Sequence, residues 1–189
     1  MKPLHLPPTI KMPTPAEPAN LVEGYTISPD DDDLLPNTFL AQININNENL
    51  WSLCRVLILQ LPEEVCMVFG PGKEDYSLGD AMDKMHLLNE LEPFHLELSQ
   101  DPDLQFSIFY QDEDYYEHVM VTQEKYIHYW GMNEVRFRNT MKYFGLAEVE
   151  GLNFIDEYPL ETEKLGLINP NATETEDLLE HLEVVMKGL

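Results

Sequence analysis

The sequence predicts an α+β fold, a mainly antiparallel four- or five-stranded sheet with helices packed chiefly on one face. Three observations predict it. Several short segments alternate apolar and polar residues at period two, and the connections between the later ones are too short for parallel crossovers. Other segments repeat apolar residues at spacings of three and four, the period of a helix with one buried stripe. The chain is also rich enough in large apolar side chains to build a core, with 43% hydrophobic residues, two Trp, nine Tyr and eight Phe. Its 189 residues fit a single medium domain.

The elements follow in order. Six prolines stand at positions 3, 7, 8, 13, 15 and 18, a composition that favours extended backbone. Residues 1–36 therefore read as a proline-rich, acidic N-terminal arm, and residues 37–189 as one α+β domain. The arm could lie along the domain on Leu4, Leu6, Ile10 and Met12. Phe39, Ala41, Ile43 and Ile45 alternate as in a half-buried strand. Asn46 or Asn47 then caps a helix striped by Leu50, Leu53, Leu57 and Leu61, which ends before Pro62. The apolar run 65–69 reads as a buried strand stopped by Gly70-Pro71-Gly72.

Ser77 is expected to cap a helix from about Leu78, with Met82, Met85, Leu88 and Leu91 inward and Pro93 beyond its end. A strand is expected at 94–98, with helix as the alternative. Leu104, Phe106, Ile108 and Tyr110 form a firmer alternation. Strands at 118–121 and 126–130 complete an antiparallel meander. Asn133 caps a helix running to Phe144, and Gly145 closes it. A final helix from Thr173 or Thr175 presents Leu178, Leu179, Leu182, Val185 and Met186 as a docking face.

Charge bounds the partners. The chain has 35 acidic and 11 basic side chains, a formal net charge of −24. A field of that sign repels nucleic-acid phosphates and anionic membranes and attracts cationic surfaces, so neither nucleic acid nor membrane is expected as a partner. The start of the chain shows no apolar run of signal-peptide length and no later segment is long enough to span a bilayer, so the expected compartment is the cytoplasm. Charge is uneven, and one basic island, Lys125, Arg136, Arg138 and Lys142, interrupts the acid. Together with His128, the residues Arg136, Arg138 and Lys142 form a candidate ligand patch, although neutralising nearby carboxylates is the simpler role.

No reaction motif stands out. Gly70-Pro71-Gly72-Lys73 lacks the spacing of a phosphate loop, and Asp30–Asp33 lacks the alternating ligands and central glycine of a calcium loop. His86 and Glu90 have helical spacing but no third ligand, and Cys54 and Cys66 read as free thiols in apolar settings. His118 and His128 could face each other across the sheet and meet Asp112 or Glu117, which would suit a metal-assisted hydrolase. No cofactor, metal or catalytic residue is assigned on this evidence.

A protein that binds a basic protein partner accounts best for the composition. Its expected contact residues are Tyr110, Asp112, Glu113, Asp114, Tyr115, Tyr116, Glu117 and Tyr158, carboxylates interleaved with amphipathic rings. In size and charge the chain resembles bacterial immunity proteins that block toxins, a class-level likeness that implies an inhibitory role without assigning residues. A structural or scaffold domain, with self-association through the arm or the last helix, is the alternative.

Overall fold

The computed structural model describes residues 2–13, 20–29, 34–72 and 75–187. The Asp30–Asp33 run and Lys73 lie outside the described residues. In chain order the strands and helices are β1 (Ile10–Lys11), β2 (Gly24–Pro29), β3 (Phe39–Asn44), α1 (Asn47–Leu59), β4 (Glu64–Gly70), β5 (Ser77–Leu78), β6 (Met82–Asp83) and α2 (Lys84–Leu91). There follow α3 (His95–Gln100), β7 (Gln105–Gln111), β8 (Tyr116–Val121), β9 (Ile127–Gly131), α4 (Glu134–Tyr143), β10 (Glu161–Thr162), α5 (Leu165–Ile168) and α6 (Thr175–Lys187).

The α+β class stands, but the expected single sheet of four or five strands does not. The strands form an eight-stranded antiparallel sheet in the order β2-β3-β9-β8-β7-β4-β5, with β6 also on β4, and a separate two-stranded sheet of β1 and β10. The patterned strands β3, β4, β7, β8 and β9 form its centre. The additions are β2, whose Tyr25 and Ile27 alternate inside a segment bounded by prolines and aspartates, and two-residue strands too short to show a period.

One face of the large sheet carries the core. Phe39, Ala41 and Ile43 of β3, Val65, Met67 and Phe69 of β4, and Ile127 and Tyr129 of β9 pack with Leu53 and Leu57 of α1, Leu88 of α2, Phe137 of α4 and Leu182 of α6. Each Val, Leu, Ile, Phe or Met among them stabilises the fold by roughly 1.5–3 kcal/mol relative to exposure. A second, smaller core gathers Tyr126, Val149, Leu152, Phe154 and Ile155, with Leu6, Met12, Leu21 and Val22 of the N-terminal segment packed on it. Ile10 is buried, and β2 pairs along its whole length with β3, so much of the described N-terminal segment is integrated into the fold.

Two local expectations are corrected. The helix expected from Leu78 begins at Lys84, because Ser77 and Leu78 pair with Phe69 and Val68, and the Asp83 carboxylate caps the helix by accepting from the His86 N–H. Gly79, between them, sits so close to α6 that an added Cβ would lie 2.8 Å from the Met186 Cβ. The strand expected at 94–98 is helical: Pro93 fits the opening of a 3-10 turn over Glu92–Phe94, which runs directly into α3. Among the described residues, no helix is long and apolar enough to cross a membrane.

Candidate functional site: the α4 groove and the adjoining acidic hairpin

The site starts from the way α4 is fixed. The Asn133 side chain accepts from the Arg136 N–H at its N-terminus. At the other end Gly145 takes φ +72°, with its N–H on the Lys142 carbonyl and the Leu146 N–H on the Met141 carbonyl, a Schellman closure. Phe137 anchors the inner face, stacked on Tyr129 at 5.4 Å between ring centroids and edge-on to Tyr25 at 5.3 Å. The outer face is thereby set. Val135, Asn139 and Tyr143, four residues apart, point outward, and Val135 and Tyr143 are 71% and 82% exposed.

Between α4 and α1 this face forms an open groove of about 670 Å³, lined by Val56, Val135, Arg136, Asn139, Thr140 and Tyr143 among others. Its floor is tied down. Gln60, just past α1, donates to the Thr140 hydroxyl at 2.8 Å.

Arg136 joins this groove to the β7–β8 hairpin. It donates to Oε1 of Glu117 at 2.5 Å, and the same oxygen accepts from the Tyr129 hydroxyl at 3.2 Å and the Met132 N–H at 3.3 Å. Glu117 is fully buried, and its Oε2 and the Arg136 Nε have no hydrogen-bond partner among the described residues. The Tyr115 hydroxyl also reaches both Glu117 and Arg136. Burial pulls the Arg136 pKa down, but the hydrogen bond to Tyr115 and the charge of Glu117 outweigh it, so the guanidinium stays charged. Burial and the Glu117 charge together push the Tyr129 phenol well above its ordinary range.

The hairpin tip is acidic, exposed and ordered by its own side chains. Asp112 accepts from the Tyr110 hydroxyl and from the Asp114 N–H, each at 2.9 Å, and its own N–H donates to the Tyr115 carbonyl. The bonds the Asp112 carboxyl accepts, the Asp114 N–H foremost and then the Tyr110 hydroxyl, hold it below the usual carboxylate range. The Tyr110 and Tyr115 rings meet edge to face at 5.8 Å. Asp112, Glu113 and Asp114 are left facing solvent.

The structure thus brings Tyr110, Asp112, Glu113, Asp114 and Tyr115 together. Glu117 lies inside the fold as the partner of Arg136, and Tyr116 is nearly buried, its hydroxyl 2.8 Å from His118 Nδ1. Tyr158 lies elsewhere. It follows the turn at Ile155–Glu157, where Asp156 accepts from Tyr126, so it sits at the far end of β8 from the tip, roughly 20 Å of strand away.

The basic residues are likewise dispersed. Arg138 is held by Glu148 and Glu134, each at 2.7 Å, and by the Tyr25 hydroxyl. Lys125 is buried at the β8–β9 turn, donating to the Leu104 and Leu98 carbonyls, and burial brings its pKa down to about 7. Lys142 is exposed in the last turn of α4. His128 points from the sheet face opposite α4, near Gln42. The register pairs His118 with Trp130 and His128 with Met120, so the two histidines do not face one another directly, and Glu117 points to the other face. Among the described residues no group of three or more His, Cys, Asp or Glu is placed to hold a metal ion.

The groove and the Glu117–Arg136 pair were not anticipated from the sequence. One signal for the pair is present in it. Glu117, Val119 and Val121 share a strand parity, which aims the carboxylate at the core and calls for a buried cation. The groove had no comparable signal, since it depends on how α1 and α4 lie side by side. In comparison with known proteins, the chain matches no family model, no curated protein and no solved structure.

Proposed function

We propose that the protein binds a cationic protein partner, with the Asp112–Asp114 tip engaging basic side chains and the α4 groove taking an adjacent apolar side chain. The carrying observation is the juxtaposition, through Arg136, of an exposed carboxylate tip with a groove whose rim exposes Val135 and Tyr143. Large apolar side chains exposed along one helix face beside ordered charge are the mixture found at protein interfaces. The net charge of −24 supports the same reading, because it accelerates encounter with a basic surface and disfavours nucleic acid. An inhibitory role, covering the positive site of a toxin-like protein, is the specific form of this proposal.

The test is a titration of the 15N-labelled protein with an amphipathic Lys/Leu helical peptide, used as a stand-in for a basic partner segment. Amide shifts concentrated at residues 110–116 and 132–143, saturating at micromolar peptide, are expected. Shifts spread over the acidic surface, with α6 responding as strongly as the tip, would show attraction by bulk charge alone.

A further inference from the structure

The centre of the large sheet's face turned away from the helices is uncharged in a chain dominated by acid. Strand pairing places Leu40, Trp130, His118, Phe109 and Cys66 in one row across β3, β9, β8, β7 and β4. A second row holds Gln42, His128, Met120, Ser107 and Val68. Adding the same-side positions Thr26 and Ser28 of β2, Gln105 and Gln111 of β7 and Tyr116 of β8, none carries a formal charge at neutral pH, and the exceptions are Glu64 at the start of β4 and Asp83 of β6, which pairs with it at the sheet edge. With 35 acidic residues in 189, such a gap is a specific property of this face.

The second core covers one end of this face, where Asn44 donates to the Asn153 carbonyl and the His128 ring meets Tyr126 at 5.1 Å, and beyond that end no helix or core cluster among the described residues packs on it. Leu40, Cys66, Val68, Phe109, Met120 and Trp130 are half-buried and belong to neither hydrophobic core. Their order comes from one another. The His118 ring stacks on Trp130 at 4.7 Å and meets Phe109 at 5.7 Å.

We propose that this face is the contact between two copies of the chain, packed sheet on sheet about a two-fold axis. Charge decides the occupant. A cationic partner gains nothing from an uncharged face, whereas a copy of net charge −24 can approach another only where carboxylates are absent. The five central strands span about 24 Å, and strands of this length run about 17–20 Å, giving on the order of 450 Å² per copy. A total of about 900 Å² lies below the range of stable specific interfaces, so the dimer is weak and reversible. Salt strengthens it by screening the charges around the rim, opposite to the weakening expected for a basic partner, so the two proposals fail independently.

Sedimentation equilibrium of the full chain from about 5 to 500 μM, at about 0.05 and 0.5 M NaCl, tests this. The expected result is a mass rising from 21.9 kDa toward twice that value, at lower concentration in the higher salt. The substitutions Trp130→Glu and Met120→Lys should each shift association at least tenfold to higher concentration. In the unsubstituted protein, concentration-dependent amide shifts should fall on β3, β7, β8 and β9, a readout independent of how the variants fold. A constant monomer mass in both salts, or a dimer whose shifts lie elsewhere and which tolerates both substitutions, would overturn the proposal.

Discussion

A buried carboxylate and a half-buried histidine expose the account to direct test. Glu117 is fully buried against Arg136, whose side chain remains 34% exposed. Glu117→Gln leaves the guanidinium without its counter-charge, which for a fully buried pair costs ~3–5 kcal/mol. Solvent at Arg136 reduces the expected loss to about 2–3 kcal/mol, read from urea unfolding at pH 7. His118 gives a pH signature. Burial, with the nearby His128 acting in the same direction, lowers its pKa to about 4 from 6.5. The unfolded chain therefore binds the extra proton over that interval, and this group's contribution to stability is lost as pH falls from about 6.5 toward 4. Between pH 7 and 4.5 it amounts to about 2–3 kcal/mol, and His118→Asn should remove that part of the acid destabilisation while leaving the carboxylate part. Comparing urea midpoints of the two proteins at both pH values checks the sign. The sequence showed the parity that turns Glu117 inward, but it could not show that Tyr115, Tyr129 and Met132 converge there, because those contacts depend on register and on the docking of α4.

At the level of the element, α4 presents the groove and its ends decide how well it does so. Gly145 holds φ +72° with open space where a Cβ would be, so Gly145→Ala isolates backbone strain from steric clash. A loss of about 1 kcal/mol is expected, and a neutral result in thermal or urea unfolding would show that the left-handed closure is unnecessary. Both ends of this helix were legible, since Asn133 and Gly145 are local signals for local hydrogen bonds. The start of α2 was not. Ser77 is a plausible cap, but pairing of Ser77 and Leu78 with the sheet edge removes them from the helix, and Asp83 takes the capping position. The β2 strand was hidden for a related reason: its partner, β3, is what makes its short alternation meaningful. Tertiary pairing overrode local propensity in each case.

Across the whole molecule, charge is sorted by face. The carboxylates are exposed at the hairpin tip and along α6, Arg136 is held by the buried Glu117 and Arg138 by Glu148 at the surface, and the centre of the outer face of the sheet is left neutral. The total of −24 was available from composition, but its sorting required the strand register. The central claim is that a cationic partner reads one place on this surface, the tip beside the groove. The most direct measurement is the affinity for the Lys/Leu peptide, by fluorescence anisotropy at fixed salt, of two variants carrying equal charge changes. One is Asp112→Asn/Glu113→Gln/Asp114→Asn at the tip, and the other is Glu174→Gln/Glu176→Gln/Asp177→Asn at the start of α6. The account predicts at least tenfold weaker binding for the first and less than a twofold change for the second; equal losses in both, or none in either, would contradict it.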